Sequence, residues 1–271
     1  LLCPIVAGGG FAHARAAALD RSALGPRVGH AVRASVPLLD TPRATAFGWR
    51  ATALLSGERI LLQGSGRTPA FTEGEIVAVA GVLRAPGPRD AWLRPRGMHA
   101  VLRADRVQAT GRRRGGAAGA LDGVRTRAQR ALTARLPQAE GALLRGMVLG
   151  DDAGLSVEER GHLRRAGLGH LVAASGANVA LLAVLALAAC ALLGAPLRAR
   201  LLVVAALTLL YVPLAGGGPS IRRAGVMGLA GIAATLSSRP QDRVHALLLA
   251  AVVTLALDPR SVGDPGWQLS F

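Results

Sequence analysis

Lysine is missing from this 271-residue chain, so all 32 of its basic side chains are arginines. With the excess of alanine, that absence is the mark of GC-rich coding, and arginine here is weak evidence for bidentate phosphate recognition. Aromatic residues make up only 3%, so the apolar mass is Ala, Leu and Val. The two cysteines, Cys3 and Cys190, lie far apart inside apolar segments, which excludes a zinc spacing and a disulfide framework. The sequence has no P-loop, no HExxH and no His/Asp set at metal-ligand spacing. His13, His30, His99 and His162 stand isolated. No soluble active site, metal or cofactor is expected within these residues.

Positive charge and hydrophobicity are what the chain does have. It is 51% hydrophobic and carries a formal charge of +16. Residues 1–170 hold 25 Arg against 13 acids, and 84–135 alone hold 13 against 3. Such a field attracts polyanions, whether nucleic acid or anionic lipid, although a solubilising face carries similar charge. The segment 36–110 reads as strands: 49–57, 59–66, 75–84 and 99–108 are short apolar runs separated by Gly, Pro and Asp. This spacing suggests a small barrel or sandwich. From 117 the period changes, and Leu121, Val124, Ala128 and Leu132 mark an amphipathic helix. Pro137 interrupts it, a second helix covers 140–149, and Ser156 with Glu159 has capping-box spacing for a third.

Beyond 171 the chain turns apolar. Residues 171–193 form 23 positions without formal charge, enough to cross ~30 Å of hydrocarbon. The runs 201–215, 224–236 and 244–257 are shorter and flanked by Arg198, Arg200, Arg222, Arg223, Arg239 and Arg243, which can snorkel. The expected fold is therefore an α+β membrane protein, with a small OB-like β-barrel domain and a polytopic α-helical transmembrane bundle. Its parts would be 1–18, the tail of a transmembrane helix; 36–110, the OB-like domain; 117–165, a helical connector; and 167–271, a truncated transmembrane domain. The opening at Leu1 without methionine and the stop at Phe271 suggest a piece of a longer chain. Basic links at 194–200 and 237–243 favour a cytoplasmic position for those loops, leaving the 36–110 domain on the outer side.

Polar groups inside apolar segments are the candidates for chemistry. GLGHLVAASGANVALL (167–182) keeps His170, Ser175 and Asn178 among small residues. Ser175 and Asn178 share a helical face, where they bond to neighbouring helices or line a path. Catalysis by Ser175 is a third reading. It lacks the first glycine of a G-x-S-G elbow, and the only later histidine is His245, so no base is placed to activate it. GGGPSIRRAG (216–225) breaks a helix; Ser220 is a candidate cap, and Arg222 and Arg223 lie in the first turn, where the helix dipole opposes cations. An anion passing the break would explain them; snorkelling would too. Gln268 follows the turn in DPRSVGDPGWQLSF (258–271). In the strand region, Trp49, Phe71 and Trp92 offer rings, and Trp49, Arg50, Arg59, Trp92, Arg94 and Arg96 are the candidate contacts for single-stranded nucleic acid.

These segments together resemble the ComEC family of bacterial competence proteins. GLGHLVAASGANVALL is similar to the family's H-L-L-A-[IV]-S-G-x-[HN]-V signature, and PSIRRAGVM (219–227) to its S-x-x-R-A-x-x-M element. DPRSVGDPGWQLSF resembles its D-P…G-[FW]-Q-L-S-F segment, and MVLGDDAGLS (147–156) its L-x-L-G-D-x-x-x-L-S stretch. Asn178 stands where many relatives have histidine. The resemblance implies an inner-membrane channel that carries one DNA strand inward during natural transformation, with single-stranded DNA, the lipid bilayer and DNA-uptake proteins as partners. It also implies that many members carry further spans and a C-terminal metallo-β-lactamase-like domain thought to be a nuclease, which these residues do not include. A transporter of a small anionic solute would use the same arginines and broken helices.

Overall fold

The computed structural model describes residues 22–172, 175–238 and 242–271; the expected helix tail at 1–18 lies outside them. Two compact units emerge. Their described parts are 22–146 with 151–172, and 147–150 with 175–238 and 242–271.

The first unit is built on a six-stranded mixed sheet of order β1-β5-β6-β4-β3-β2. Its strands are β1 (Ala31–Pro37), β2 (Arg43–Thr45), β3 (Gly48–Leu55), β4 (Glu58–Gly64), β5 (Glu75–Arg84) and β6 (Met98–Arg113). All neighbours are antiparallel except β4 and β6, which run parallel. Strict alternation along β3 sends Trp49, Ala51, Ala53 and Leu55 into the core with Ile60, Leu62, Val77, Leu83 and Leu102. The ring of Trp49 lies over Gly64, where an added Cβ would stand 2.4 Å from the indole. Only glycine fits there. A 3-10 stretch, Pro88–Arg96, covers part of the other face and packs Trp92 and Leu93 on Leu61, Met98 and Val101.

The expected closed OB-like barrel does not form. The sheet is open, with β1 and β2 at its edges. After Pro37 the chain touches β3 through the single bridge Leu38–Ala53. The carboxylate of Asp40 then takes the Thr52 N–H (2.6 Å) and hydroxyl (2.8 Å), which stops the ladder. Farther along, β2 already occupies the edge of β3 at Gly48–Arg50. Burial raises the carboxyl pKa of Asp40, and its bonds to Thr52 oppose the rise.

Three helices follow the sheet: α1 (Gly116–Thr133), α2 (Gln138–Leu149) and α3 (Val157–Arg165). The apolar stripe expected on α1 is not its anchor, since Val124 is exposed and the buried residue is Asp122. Asp122 receives the Arg114 guanidinium, and Arg125 pairs with Glu73 at 2.9 Å. The capping box at α3 is present. Ser156 Oγ accepts from the Glu159 N–H (3.1 Å), and Glu159 Oε2 accepts from the Ser156 N–H (2.7 Å).

The second unit contains α4 (Gly176–Leu192), α5 (Leu197–Leu214), α6 (Pro219–Leu236), α7 (Arg243–Leu257) and the turn α8 (Pro265–Gln268). A polytopic bundle was expected here. Among the described residues, however, only α5 is long and apolar enough to cross a membrane, with mean hydropathy 1.8 over 18 residues. The 171–193 run fails because its first part is the 3-10 stretch Leu168–Val172 and regular helix starts at Gly176. Its 17 residues reach about 25 Å at 1.5 Å per residue. The 15 residues of α7 reach less, and α6 carries Arg222 and Arg223 near its start.

Candidate functional site

In the sheet unit, strand alternation turns Arg50 away from the core, and the 3-10 stretch carries Trp92 to it. The guanidiniums of Arg50 and Arg96 lie 5.3 and 5.1 Å from the Trp92 ring centre, within cation–π range. Burial lowers the pKa of Arg50, and repulsion from Arg43, Arg160 and Arg96 adds to this. Of the other sequence candidates, Arg59 and Arg94 are exposed on the strand start and the 3-10 stretch. Trp49 is only 5% exposed and Phe71 packs against the core, so neither presents a free ring.

The sequence reading passed over Arg43 and Arg160. Arg43 stands directly opposite Arg50 in the β2–β3 register and pairs with Asp152 at 2.6 Å. Arg160, on α3, donates to the carbonyls of Asp152 (3.3 Å) and Ala44. A capping box that places α3 thus also places a fourth guanidinium. A trough of about 460 Å³ lies on the outer side of β1, β5 and β6, with Arg33 and Arg106 on an alanine floor of Ala78 and Ala80.

The helical unit gathers the polar residues of the apolar segments. Ser175 occupies the N-cap of α4 but makes no capping bond; its hydroxyl meets Asn178 Oδ1 at 3.5 Å. Asn178 Nδ2 donates to the Met147 carbonyl (2.6 Å), and Tyr211 Oη to the Val148 carbonyl (2.6 Å). These carbonyls sit in the last turn of α2, where no intrahelical donor remains. Asn178 and Tyr211 therefore satisfy a helix end from α4 and α5. Gly176 lets α4 pack closely on α6, because an added Cβ would be 3.1 Å from Ala224 Cβ and 3.5 Å from Ser220. Tyr211 was missed in the sequence, where nothing local marks it.

At α6 the N-cap is Gly218, with Pro219 at the first helical position, so Ser220 lies inside the helix and does not cap it. Arg222 Nε is buried with no acceptor among the described residues. Arg223 lies 5.4 Å over the Phe271 ring, whose centre is 4.7 Å from that of Trp267 with the rings tilted by 41°. The Trp267 indole N–H donates to Thr254 Oγ1 (2.9 Å), and Gln268 Nε2 donates to the Val262 carbonyl (2.8 Å). His170 belongs to the 3-10 stretch Leu168–Val172; its side chain lies outside the described part.

This geometry bears on catalysis by Ser175. Its hydrogen-bond partner among the described residues is an amide oxygen, which takes no proton. His245 is held by Asp242 at 2.5 Å instead. What the helical unit does provide is a set of polar side chains binding helix ends and turns, with two arginines at a broken helix.

Residues 147–271 match the family model for Competence, described as competence protein. No curated protein matches the chain. The matched region contains Asp151, Ser175, Gly176, Ser220, Arg223, Trp267 and Gln268, so all the motif segments fall within it. The match covers residues 147–271, just under half of the chain, and supports a ComEC-family competence protein.

Proposed function

We propose that the protein is a component of DNA uptake in natural transformation, acting at the cytoplasmic membrane to pass one DNA strand inward. The observation that carries the proposal is the competence match at 147–271, which includes the broken helix at Gly216–Gly218 with Arg222 and Arg223 just inside α6. Arg222 closes the first turn of α6 and Arg223 opens the second, and a cation near a helix N-terminus opposes the dipole. A passing phosphate would be drawn both to them and to the exposed backbone N–H groups. Family members are typically membrane-associated, and α5 is the helix suited to a bilayer. The sheet unit, on the outer side, would meet DNA first through Arg50, Trp92 and Arg96.

The test is complementation of a strain lacking the protein. Arg223→Ala should abolish uptake of labelled DNA while the protein remains in the membrane at normal amount, and Arg223→Lys should restore part of it. Normal uptake by Arg223→Ala would remove that residue from the transport path. A small-anion transporter is the second reading, favoured by the same arginines; it predicts normal DNA uptake in the deletion strain.

A further inference from the structure

The strand registers place the outward arginines of the sheet in a line. Arg43 on β2 pairs with Arg50 on β3, Arg50 with Gln63 on β4, and Gln63 with Arg103 on β6. The same row continues through Val82 on β5 to Ala31 on β1. Paired positions share a face of the sheet. Four successive strands therefore present Arg, Arg, Gln, Arg across roughly 14 Å, taking about 4.8 Å between strands. Arg84 donates to Gln63 Oε1 at 3.1 Å from the adjoining row, and Arg96 joins Arg50 at Trp92.

Packing accounts for this row only in part: Arg43 pairs with Asp152 and Arg50 lies over the Trp92 ring, while Arg103 is exposed. Like charges directly opposite on neighbouring strands destabilise a sheet, and Arg43 faces Arg50. Near Arg43 and Arg50, Asp152 is engaged by Arg43, Asp40 by Thr52, and Asp151 by Arg145 and Gln129; Asp105, two residues beyond Arg103 on β6, is exposed. Arg50 and Arg103 donate no hydrogen bond to any described side chain, and Arg103 is exposed. The Trp92 ring is already met by two guanidiniums, so the row offers charge more than a stacking platform.

From this we infer that the Arg43–Arg50–Gln63–Arg103 row is a phosphate track, along which the backbone of a single DNA strand lies transverse to the β-strands. The inference rests on the DNA reading above and adds to it the residues, the direction of the strand and the mode of recognition. Recognition is by backbone charge, with Gln63 donating its amide between cationic positions, and it carries no base preference.

The experiment measures binding of labelled oligothymidylate to the full chain in detergent as a function of salt. Each phosphate contact on a single strand contributes about 0.7 to the slope of log K against log salt. Arg50→Gln and Arg103→Gln should each lower that slope by about 0.7, and Arg103→Lys should preserve it. The control Arg127→Gln, on an exposed position of α1, should leave it unchanged. A methylphosphonate oligomer of the same sequence should not bind. Because Arg43 also pairs with Asp152, Arg103 is the position where loss of folding least confuses the result. If the wild type binds but the row variants keep its slope, or Arg127→Gln lowers it equally, the track is wrong and the DNA reading survives. If the wild type binds only anionic vesicles, or no DNA at low salt, both fall.

Discussion

Raising the pH should destabilise the sheet unit through the buried carboxyl where α1 meets the β4–β5 connection, and Glu73 sets the size of the effect. Its carboxylate pairs with Arg125 at 2.9 Å and is 12% exposed. Burial pushes its pKa from 4.5 to about 7, overcoming the opposing pull of Arg125. A carboxyl whose folded pKa is raised binds its proton more tightly when folded. Its contribution is thus fully present below pH ~4.5 and is lost as pH rises toward 7. At about 1.4 kcal/mol per pKa unit, the loss approaches 3 kcal/mol across that window. The measurement is chemical unfolding of the chain in detergent from pH 4 to 8, for wild type and Glu73→Gln. Other groups titrate in both, so the difference isolates Glu73. Wild type should lose stability relative to the variant by up to about 3 kcal/mol between the ends of the range. Parallel pH curves would refute the argument and show that Arg125 keeps Glu73 ionised.

Two further expectations concern the helical unit. Tyr211→Phe leaves the Val148 carbonyl without its donor and should cost about 1 kcal/mol in the same unfolding assay; Asn178→Ala should cost a similar amount. No loss from either would mean that water or another donor readily replaces them. Ser175→Ala, which removes only a long contact to Asn178, should leave both stability and DNA uptake near wild type. A large loss of activity would return Ser175 to consideration as a nucleophile.

How far the sequence anticipated these sites depended on the range of the interactions. The strands at 75–84 and near 49–57 and 59–66 were legible because Gly, Pro and alternating apolar residues mark them locally, and the structure has β5 at Glu75–Arg84 and β3 at Gly48–Leu55. The cap at Ser156 was legible for the same reason. Barrel closure was not, because it turns on whether Asp40 or a ladder partner takes the Thr52 N–H. The arginine row was invisible too, since Arg43, Arg50 and Arg103 meet only through register. Asp122 illustrates a third failure: an apolar stripe predicted the docking face of α1, but an ion pair with Arg114 does the anchoring. In the apolar segments, length along the sequence overstated helix length, because Ser175 and Gly176 restart the chain within 171–193. The motifs that identify the family are contiguous, and those were readable directly.

The most direct measurement follows labelled double-stranded DNA into cells of a strain lacking the protein, with and without the wild-type gene restored. Single-stranded label should reach the cytoplasm only when the protein is present, while DNA binding at the cell surface stays equal. Arrival of label in its absence at the restored rate would contradict the account.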